Sequence, residues 1–378
     1  MNSQKIILLS VASVLLTACS TRELDDTERP SQQLTVPLQL SSGIKVSITR
    51  AFDTTWDIGN AIGVFTTVAG SGSDNEHPYI ITKSGSYNDE NIGYQINTEE
   101  NTYVSNAYVY KDFIPVNSSQ QVYLPANGST VDVYAYYPYK PGVTLSSPLS
   151  ITIPGTESAQ TLAEQKAVDV LSAKKQSTID APIDIDHYTV QLLFEHMMTK
   201  VIVYVMSGAG ITDSELTGNG VSSVQLLGQP TSATFAPVSR TLDITTPGSS
   251  STITMQEIEY NAEDPDPDYR SNPLTYTKYK DDSPEVVDWT KNVLHVYRAI
   301  VLPNNDSTNQ ASSTARKIRF NVGQTTYTYS IPADKPFESG KQICFAVRLA
   351  ATGVTVEAAI KNWTSETYSP DPLYPDED

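Results

Sequence analysis

Apolar and polar residues alternate at a period of two along most of this 378-residue chain, and this pattern constrains the fold more than any other feature. Because successive side chains of a β-strand point to opposite faces, the pattern is typical of strands with one buried face. It recurs in the segments "LTVPLQL", "IKVSI", "STVDVYAYYPY", "SITIPG", "KVIVYVMSG", "SATFAPV", "VLHVYRAIVLP", "KIRFNV", "TTYTYSIPA", "ICFAVRLA" and "GVTVEAAI". Only "SAQTLAEQKAVDVLSAKK" has a fair helical stretch. We therefore expect an all-β protein.

The composition and the length refine this expectation. The chain has 22 tyrosines against 8 phenylalanines and 3 tryptophans, and Tyr, Thr and Val suit pleated, half-exposed surfaces. Short strands separated by turn clusters favour β-sandwiches over a parallel α/β sheet. A chain of 378 residues can form two domains, each with its own core. We place the boundary near residue 187, where "APIDIDHYTVQLLF" enters a new apolar run.

The first twenty residues carry an export signal. "MNSQK" contains Lys5, "IILLSVASVLL" is a short apolar run, and "LTAC" closes it. The run is too short for a comfortable membrane span, so it predicts a secretory signal peptide over residues 1–18. Leu16 to Cys19 also fits the lipobox of bacterial lipoproteins, in which the cysteine takes the lipid. The alternative is an ordinary signal peptide with a chance cysteine at its end.

Lipidation of Cys19 would make the protein anchored rather than membrane-spanning. Acyl chains such as palmitate would hold it in the outer membrane, and the polar, acidic "TRELDDTERP" that follows suits a tether. Cys344 would then be the remaining thiol. It lies in the strand pattern "KQICFAVRLA", so we expect a small buried hydrophobe rather than a nucleophile.

The charge and the missing motifs exclude several classes of function. A net charge of -18 argues against nucleic acid or anionic lipid as a partner. We find no nucleophile elbow, phosphate-binding glycine loop or zinc-binding His-Glu motif, and expect no catalysis, cofactor or metal. The acidic "EDPDPDY" lacks the central glycine of a calcium loop and is predicted to be solvated; it contains Asp264, Asp266 and Asp268. A carboxylate pair of glycosidase type stays open, because it leaves no fixed spacing in a sequence.

The histidines do not form a pattern typical of metal ligands. They are His77, His187, His196 and His295. His187 and His196 are nine residues apart, which matches no ligand spacing that we recognise. His196 lies in "LLFEHMMTK", and we expect it to be a hydrogen-bonded core histidine.

Several segments together resemble the fimbrillins, the lipoprotein pilins of type V fimbriae. They are "LTAC", "TRAFDTTWDIGNAIGVFTT", "VDVYAYYPY", "AVDVLSAKK", "LLFEHMMTKVIVYV" and "VEAAIKNW", in family order. Asn60 departs from the aspartate expected after the glycine in W-x-x-G-D, although either residue suits a turn. The resemblance implies a fimbrial or cell-adhesion protein with two transthyretin-like β-sandwich domains in tandem, over residues 51–187 and 188–378.

Two of these segments are also explained simply by packing in a hydrophobic core. In "WDIGNAIGVF", Gly59-Asn60 is predicted to form a turn. The apolar residues around it are expected to cover one core, namely Trp56, Ile58, Ile62 and Val64. In "VDVYAYYPY" the alternation predicts that Val131, Val133 and Ala135 face one side, and that Tyr134 and Tyr136 face the other.

The resemblance also implies an assembly chemistry. In such pilins an arginine-specific protease removes the N-terminal segment, and a strand from another subunit fills the groove by β-strand addition. The candidate cleavage site is Arg50-Ala51 in "SITRAFD". Residues 34–48 alternate like a removable strand, with a kink expected at Ser41-Ser42-Gly43, whereas cleavage after Arg22 or Arg29 would free no strand. The alternative is that Arg50 is a charged edge residue and the strand stays in place.

The C-terminal tail indicates whether the subunit belongs to the stalk or to the tip of a fibre. "TSETYSPDPLYPDED" contains three prolines, which cannot donate to a strand ladder. A stalk subunit must donate a C-terminal strand, so we expect an accessory or tip subunit. Its partners would be other fimbrial subunits, the protease and, before processing, the outer membrane. Two alternatives stay open: a surface lipoprotein that binds glycans through exposed aromatics without polymerising, and a β-sandwich hydrolase with carboxylates in a cleft.

Overall fold

A computed structural model describes most of the chain. The described residues are 36–44, 56–69, 91–96, 102–105, 108–118, 120–156, 158–218, 220–244, 252–258, 275–280, 283–288, 293–304 and 316–362. Several predicted features lie outside them, namely Cys19, Arg50, Ala51, His77, the acidic loop from Asp264 to Asp268 and the C-terminal tail.

The described residues are mostly β-strand, so the all-β prediction is confirmed. The strands are β1 (Val36–Pro37), β2 (Gln39–Ile44), β3 (Ala61–Val68), β4 (Ile92–Ile96), β5 (Thr102–Ser105), β6 (Tyr108–Pro115), β7 (Tyr123–Leu124), β8 (Val131–Tyr137), β9 (Leu149–Thr152), β10 (Leu171–Lys175), β11 (Thr189–His196), β12 (Thr199–Ser207), β13 (Val221–Leu227), β14 (Ser232–Ala236), β15 (Thr241–Ile244), β16 (Thr252–Thr254), β17 (Gln256–Ile258), β18 (Thr275–Lys280), β19 (Ser283–Asp288), β20 (His295–Val301), β21 (Lys317–Val322), β22 (Thr325–Ser330), β23 (Lys341–Ala350) and β24 (Gly353–Asn362).

Two short helices interrupt the strands, α1 (Leu162–Val168) and α2 (Asp213–Leu216). Helix α1 falls within the segment that the sequence analysis selected, and α2 was not predicted. Helix α1 begins with a capping box, in which the Glu164 amide donates to the Thr161 hydroxyl (3.3 Å) and the Thr161 amide donates to the Glu164 carboxylate (2.7 Å). At the start of α2 the Thr212 amide donates to the Glu215 carboxylate (2.7 Å). No helix of the described part is long and apolar enough to cross a membrane.

The largest sheet closes on itself. Its strand order is β2-β11-β10-β8-β3-β4-β6-β5, and β2 also pairs with β6. Strand β2 therefore completes a ring of seven strands, with β5 attached outside the ring. One apolar cluster takes side chains from these strands, and we call it the ring core. Its members are Leu38, Leu40, Trp56, Ile62, Val64, Ile92, Tyr94, Ile96, Phe113, Val122, Leu124, Val131, Val133, Ala135, Leu171, Ala173, Ile183, Val190, Leu192 and Phe194.

The remaining strands form smaller sheets. Their orders are β17-β20-β12-β23-β24, β16-β13-β21-β22 and β15-β14-β9, with the two-stranded pairs β18-β19 and β1-β7. A larger apolar cluster, the main core, includes Val203, Phe235, Phe320 and Phe345 from these sheets. Cys344 is 1% exposed and lies in a third, smaller apolar cluster, so its prediction as a buried hydrophobe is confirmed.

Strand β8 contributes to two clusters because its side chains alternate. Val131, Val133 and Ala135 belong to the ring core, whereas Tyr134 and Tyr136 belong to the main core. The predicted orientation of this segment is confirmed. Phe65 of β3 joins the two tyrosines, so the two neighbouring strands of the ring pack against the main core with their outer faces.

Strands that precede residue 187 pair with strands that follow it, in two different sheets. Strand β11 begins two residues after it and belongs to the ring, whereas β9 precedes it and pairs with β14. The two halves of the chain are therefore connected by backbone pairing as well as by side-chain packing. The division into domains at residue 187 stays a prediction.

A glycine in β3 leaves room for a tyrosine ring from β8. Gly63 lies opposite Tyr136, and a Cβ atom on Gly63 would be 2.1 Å from Tyr136 Cε1. The tyrosine is buried, and its hydroxyl accepts a hydrogen bond from Asn91 Nδ2 (3.0 Å) and donates one to the Lys140 carbonyl (3.1 Å). Burial raises the pKa of Tyr136 to about 12. The ring is therefore held in place and cannot easily make room for a side chain.

We expect Gly63→Ala to lower the free energy of unfolding by about 1–3 kcal/mol, because the added methyl group overpacks a fixed ring. Gly142→Ala is the matched control, since a Cβ there meets nothing within 4 Å. Equilibrium urea unfolding of the two variants and the parent chain measures the difference. Equal stability of the two variants would contradict the predicted clash.

Candidate functional site: the N-terminal strand and its groove

The segment Val36–Ile44 lies between strands that are distant in sequence. Strand β1 pairs with β7, and β2 pairs in parallel with β11 and antiparallel with β6. At the junction of β1 and β2, the Leu38 amide donates to the Val122 carbonyl (3.0 Å) and the Gln39 amide donates to the Tyr188 carbonyl (2.9 Å). We call the space between β11 and β6 that β2 fills the strand groove. Its occupant belongs to the part of the chain that precedes Arg50.

The side chains of this segment alternate between the core and the surface. Leu38 and Leu40 are buried in the ring core, whereas Gln39 is exposed and accepts a hydrogen bond from the Thr189 hydroxyl (3.4 Å). Full burial of a leucine side chain contributes about 1.5–3 kcal/mol. The predicted strand character is thus confirmed for the described residues 36–44, and two leucines anchor the strand by their side chains.

The prediction of a kink at Ser41-Ser42-Gly43 is wrong. Strand β2 runs through these residues from Gln39 to Ile44, and the break between strands falls at Leu38 instead. The three residues pair with Gln191, Leu192 and Leu193 of β11, and the two serines also pair with β6. Backbone pairing on both sides therefore keeps them extended, although serine and glycine favour turns.

Ser42 fits the strand groove poorly. It points inward in the alternation and is fully buried, and its Oγ has no hydrogen-bond partner among the described residues. Its register partner on β11 is Leu192, a member of the ring core. A buried polar group without a partner costs about 1–3 kcal/mol. The strand is therefore a stable but imperfect occupant of its groove.

Trp56, six residues after Arg50, contacts both walls of the strand groove. Its ring lies 5.5 Å from that of Phe113 on β6 and 5.1 Å from that of Phe194 on β11, both in edge-to-face geometry. A third ring, that of Tyr137 on β8, lies at 5.5 Å. Lys111 Nζ of β6 donates to the Trp56 carbonyl (3.0 Å). The residue thus connects the two strands between which β2 lies.

The turn after Trp56 explains why Ile58 is exposed, although it was predicted to lie in the core. Trp56, Ile62 and Val64 belong to the ring core as expected, but Ile58 is 57% exposed. The Asn60 amide donates to the Asp57 carbonyl (3.0 Å), and the Asp57 amide donates to Asn60 Oδ1 (2.8 Å). Gly59 has φ +88°, in the left-handed region that glycine tolerates. The predicted turn is confirmed, and Ile58 is carried outward at its tip.

A buried tyrosine supports the segment on which β1 docks. The Val122 amide donates to Tyr94 Oη (2.9 Å), while the Val122 carbonyl accepts from Leu38. Burial raises the pKa of Tyr94 well above its ordinary value, so the hydroxyl stays neutral. The pKa of Tyr137, next to Trp56, is also raised, first by burial and then by the carboxylates of Asp169 and Asp57. The groove region thus holds neutral tyrosines.

Each of the three histidines in the described ranges lies next to a carboxylate. His196 is buried, with Nδ1 2.9 Å from Asp169 Oδ1, which confirms the prediction of a hydrogen-bonded core histidine. His187 Nδ1 lies 2.9 Å from Asp184 Oδ1, and this hydrogen bond lowers the pKa of Asp184. His295 lies 2.6 Å from Glu257. Within the described ranges, no group of three or more His, Cys, Asp or Glu residues could hold a metal ion.

The predicted site residues Cys19, Arg50 and Ala51 lie outside the described residues. What the structure brings together is the strand that precedes Arg50 and the tryptophan that follows Ala51. The sequence analysis placed Trp56 in a core but missed its contacts with Phe113 and Phe194, because ring contacts between distant strands leave no local signal.

Comparison with known proteins places the chain among bacterial surface proteins. A family model described as "Fimbrillin-like" matches residues 49–363. A Bacteroides uniformis protein named "Putative fimbrium subunit Fim1C" is 24% identical over an alignment of 371 residues that covers 96% of each chain. Two solved structures share the fold, and each is described as a "putative cell adhesion protein". That from Bacteroides uniformis has a TM-score of 0.55 and 20% identity, and covers 87% of this chain and 98% of its own. That from Bacteroides ovatus has the same score and identity, with 88% and 99% covered.

We expect Ser42→Ala to raise the free energy of unfolding of the uncut chain by about 1–3 kcal/mol, because it removes a buried hydroxyl without a partner. Ser150→Ala is the control, since Ser150 is exposed on β9, and an exposed substitution changes stability by at most about 0.5 kcal/mol. Urea unfolding measures both. A less stable Ser42→Ala chain would show that the hydroxyl is well accommodated.

Proposed function

The chain belongs to the fimbrillin-like family, and we propose that it is a fimbrial subunit that receives a strand from another subunit. In this proposal it is exported as a lipoprotein on Cys19 and cut after Arg50. Cleavage releases the segment that contains β1 and β2, and donor-strand exchange then fills the strand groove. The protein acts at the cell surface, first at the outer membrane and then in the fimbrium.

The position of β2 in the ring is the observation that carries the proposal. The strand pairs with β11 and β6, which both follow Arg50 in the chain. Once the connection at Arg50 is cut, only hydrogen bonds and the side-chain anchors hold it. Its loss would expose two strand edges and the sites of Leu38 and Leu40. These are the features that β-strand addition uses, since main-chain hydrogen bonds give affinity and alternate side chains give specificity.

Two further observations support cleavage before assembly. The match to the fimbrillin-like family model begins at residue 49, next to Arg50, and does not include the N-terminal strand. An open groove is also an aggregation hazard, because unpaired strand edges pair with any available chain. A strand that stays in place during export would protect the groove until the subunit reaches its partners.

The proposal includes two transthyretin-like β-sandwich domains in tandem, over residues 51–187 and 188–378. The ring core and the main core, which are separate apolar clusters, support a division into two parts. Because β11 belongs to the ring, the strand groove draws one wall from after residue 187. Both parts of the chain are therefore needed for the groove.

The partners follow from this scheme. They are other fimbrial subunits, an arginine-specific protease and, before cleavage, the outer membrane. A surface lipoprotein that binds glycans without polymerising remains the alternative. It would keep an uncut N-terminus and would bind a polysaccharide.

We expect the protein taken from its native cell surface to begin at Ala51, which N-terminal sequencing measures. Arg50→Ala should keep the segment in place and abolish entry into fibres. Arg29→Ala is the control and should have no effect, since cleavage there frees no strand. If every copy of the protein instead carries an acylated Cys19, the strand is retained. That result would favour an anchor subunit or the glycan-binding alternative.

We further propose that the protein is an accessory or tip subunit, because the tail after residue 363 contains prolines that suit a donor strand poorly. Deletion of residues 364–378 is expected to leave fibre growth intact and to change at most the ends of the fibres. Electron microscopy of fibre length measures this. Loss of fibre growth on deletion would instead make the protein a stalk subunit.

A further inference from the structure

Trp56 is placed to hold the strand groove open at the width of one strand. Its indole contacts Phe113 on β6 and Phe194 on β11, and its carbonyl accepts a hydrogen bond from Lys111 of β6. These are the two strands on either side of β2. Trp56 follows Arg50, so it stays with the subunit when the N-terminal strand leaves.

The two walls of the groove are joined through β2 and do not pair directly with each other. Without β2, β11 connects to β6 only the long way round, through β10, β8, β3 and β4. Adjacent strands lie about 4.8 Å apart, so walls with one strand between them lie about 10 Å apart. No direct pairing between β11 and β6 is present among the described residues to fix that distance. A side chain that touches both walls can fix it.

We propose that Trp56 is the positioning residue that keeps the emptied groove ready for an incoming strand. This inference rests on the proposed strand exchange. A groove that keeps its width accepts a strand without first rearranging, and such preorganisation increases affinity. A groove whose walls collapse together would have to be reopened by each incoming strand.

The geometry of the indole suits this role. Its contacts with Phe113, Tyr137 and Phe194 have interplanar angles of 88°, 70° and 86°, the edge-to-face arrangement that aromatic pairs favour. Its Nε1 is buried and has no hydrogen-bond partner in the described part of the chain. The ring is therefore fixed by its aromatic contacts, which lie on β6, β8 and β11.

The test separates the role of Trp56 before strand removal from its role afterwards. In the full-length chain, purified in mild detergent, Thr49 and Arg50 are replaced by the recognition sequence of a site-specific viral protease. Cleavage is then independent of the natural protease. After the cut, a fluorescent peptide with the sequence of residues 34–48, "LTVPLQLSSGIKVSI", competes for the groove, and the bound fraction is measured.

Trp56→Leu is compared with Phe65→Leu. Phe65 is another buried aromatic residue, but it lies on β3, whose pairing with β8 and β4 does not involve β2. Before the cut, we expect both variants to keep the circular dichroism of the parent and to lose similar amounts of thermal stability. After the cut, Trp56→Leu should bind the peptide at least tenfold more weakly than the parent, whereas Phe65→Leu should bind it as the parent does.

The outcomes distinguish this inference from the proposed function. If the parent binds the peptide and Trp56→Leu binds it equally well, Trp56 does not hold the groove, while strand exchange stands. Equal loss of binding in both variants would mean general destabilisation and would also overturn the inference. If the cut parent takes up no peptide, the groove does not accept a strand, and both proposals fail.

Discussion

The pairing of β2 with β11 on one side and β6 on the other is the interaction on which the rest of the ring depends. It turns an open sheet with two edges into a closed one, and it covers the ring core with Leu38 and Leu40. Buried backbone N–H and C=O groups must be paired, so a gap in the ring is costly until another strand fills it. This closing strand precedes Arg50 in the chain, so under our proposal cleavage at Arg50 would make the closure exchangeable.

The strand is held both by backbone pairing and by side chains. Two leucines anchor it, whereas the buried hydroxyl of Ser42 has no partner in the described structure. Backbone hydrogen bonds are available to any sequence in extended conformation, but side-chain fit is not. A competing strand that matches the two leucines and places an apolar group at the position of Ser42 would therefore be the better occupant. An imperfect internal strand is therefore consistent with the proposed exchange.

Local chemistry could be read from the sequence, but long-range pairing could not. The alternation in "VDVYAYYPY", the turn at Gly59-Asn60, the core histidine His196 and the buried Cys344 each depend on neighbouring residues, and each was predicted correctly. The strand in residues 36–44 was also predicted, but its place between β11 and β6 was not, because the partners are about 70 to 150 residues away. The predictions for Ile58 and for the Ser41-Ser42-Gly43 segment were wrong for different reasons. Ile58 is apolar but exposed, because it lies at the tip of a turn. The serines and the glycine favour turns but stay extended, because neighbouring strands pair with them.

The two walls of the groove are not held equally. Strand β11 is fixed from outside by Arg240 in the β14–β15 turn. Its Nε donates to Ser172 Oγ of β10 (3.0 Å), and its Nη2 lies 2.8 Å from Glu195 Oε2 of β11. Arg240 has φ +56°, a conformation that costs a non-glycine residue about 1–3 kcal/mol, so these contacts offset local strain. Strand β6 pairs only with β4, β5 and β2 among the described strands, and Lys111 and Phe113 join it to Trp56. If β2 is removed, as we propose, β11 is still held by Arg240, whereas β6 keeps its pairing with β4 and β5 and its contacts with Trp56.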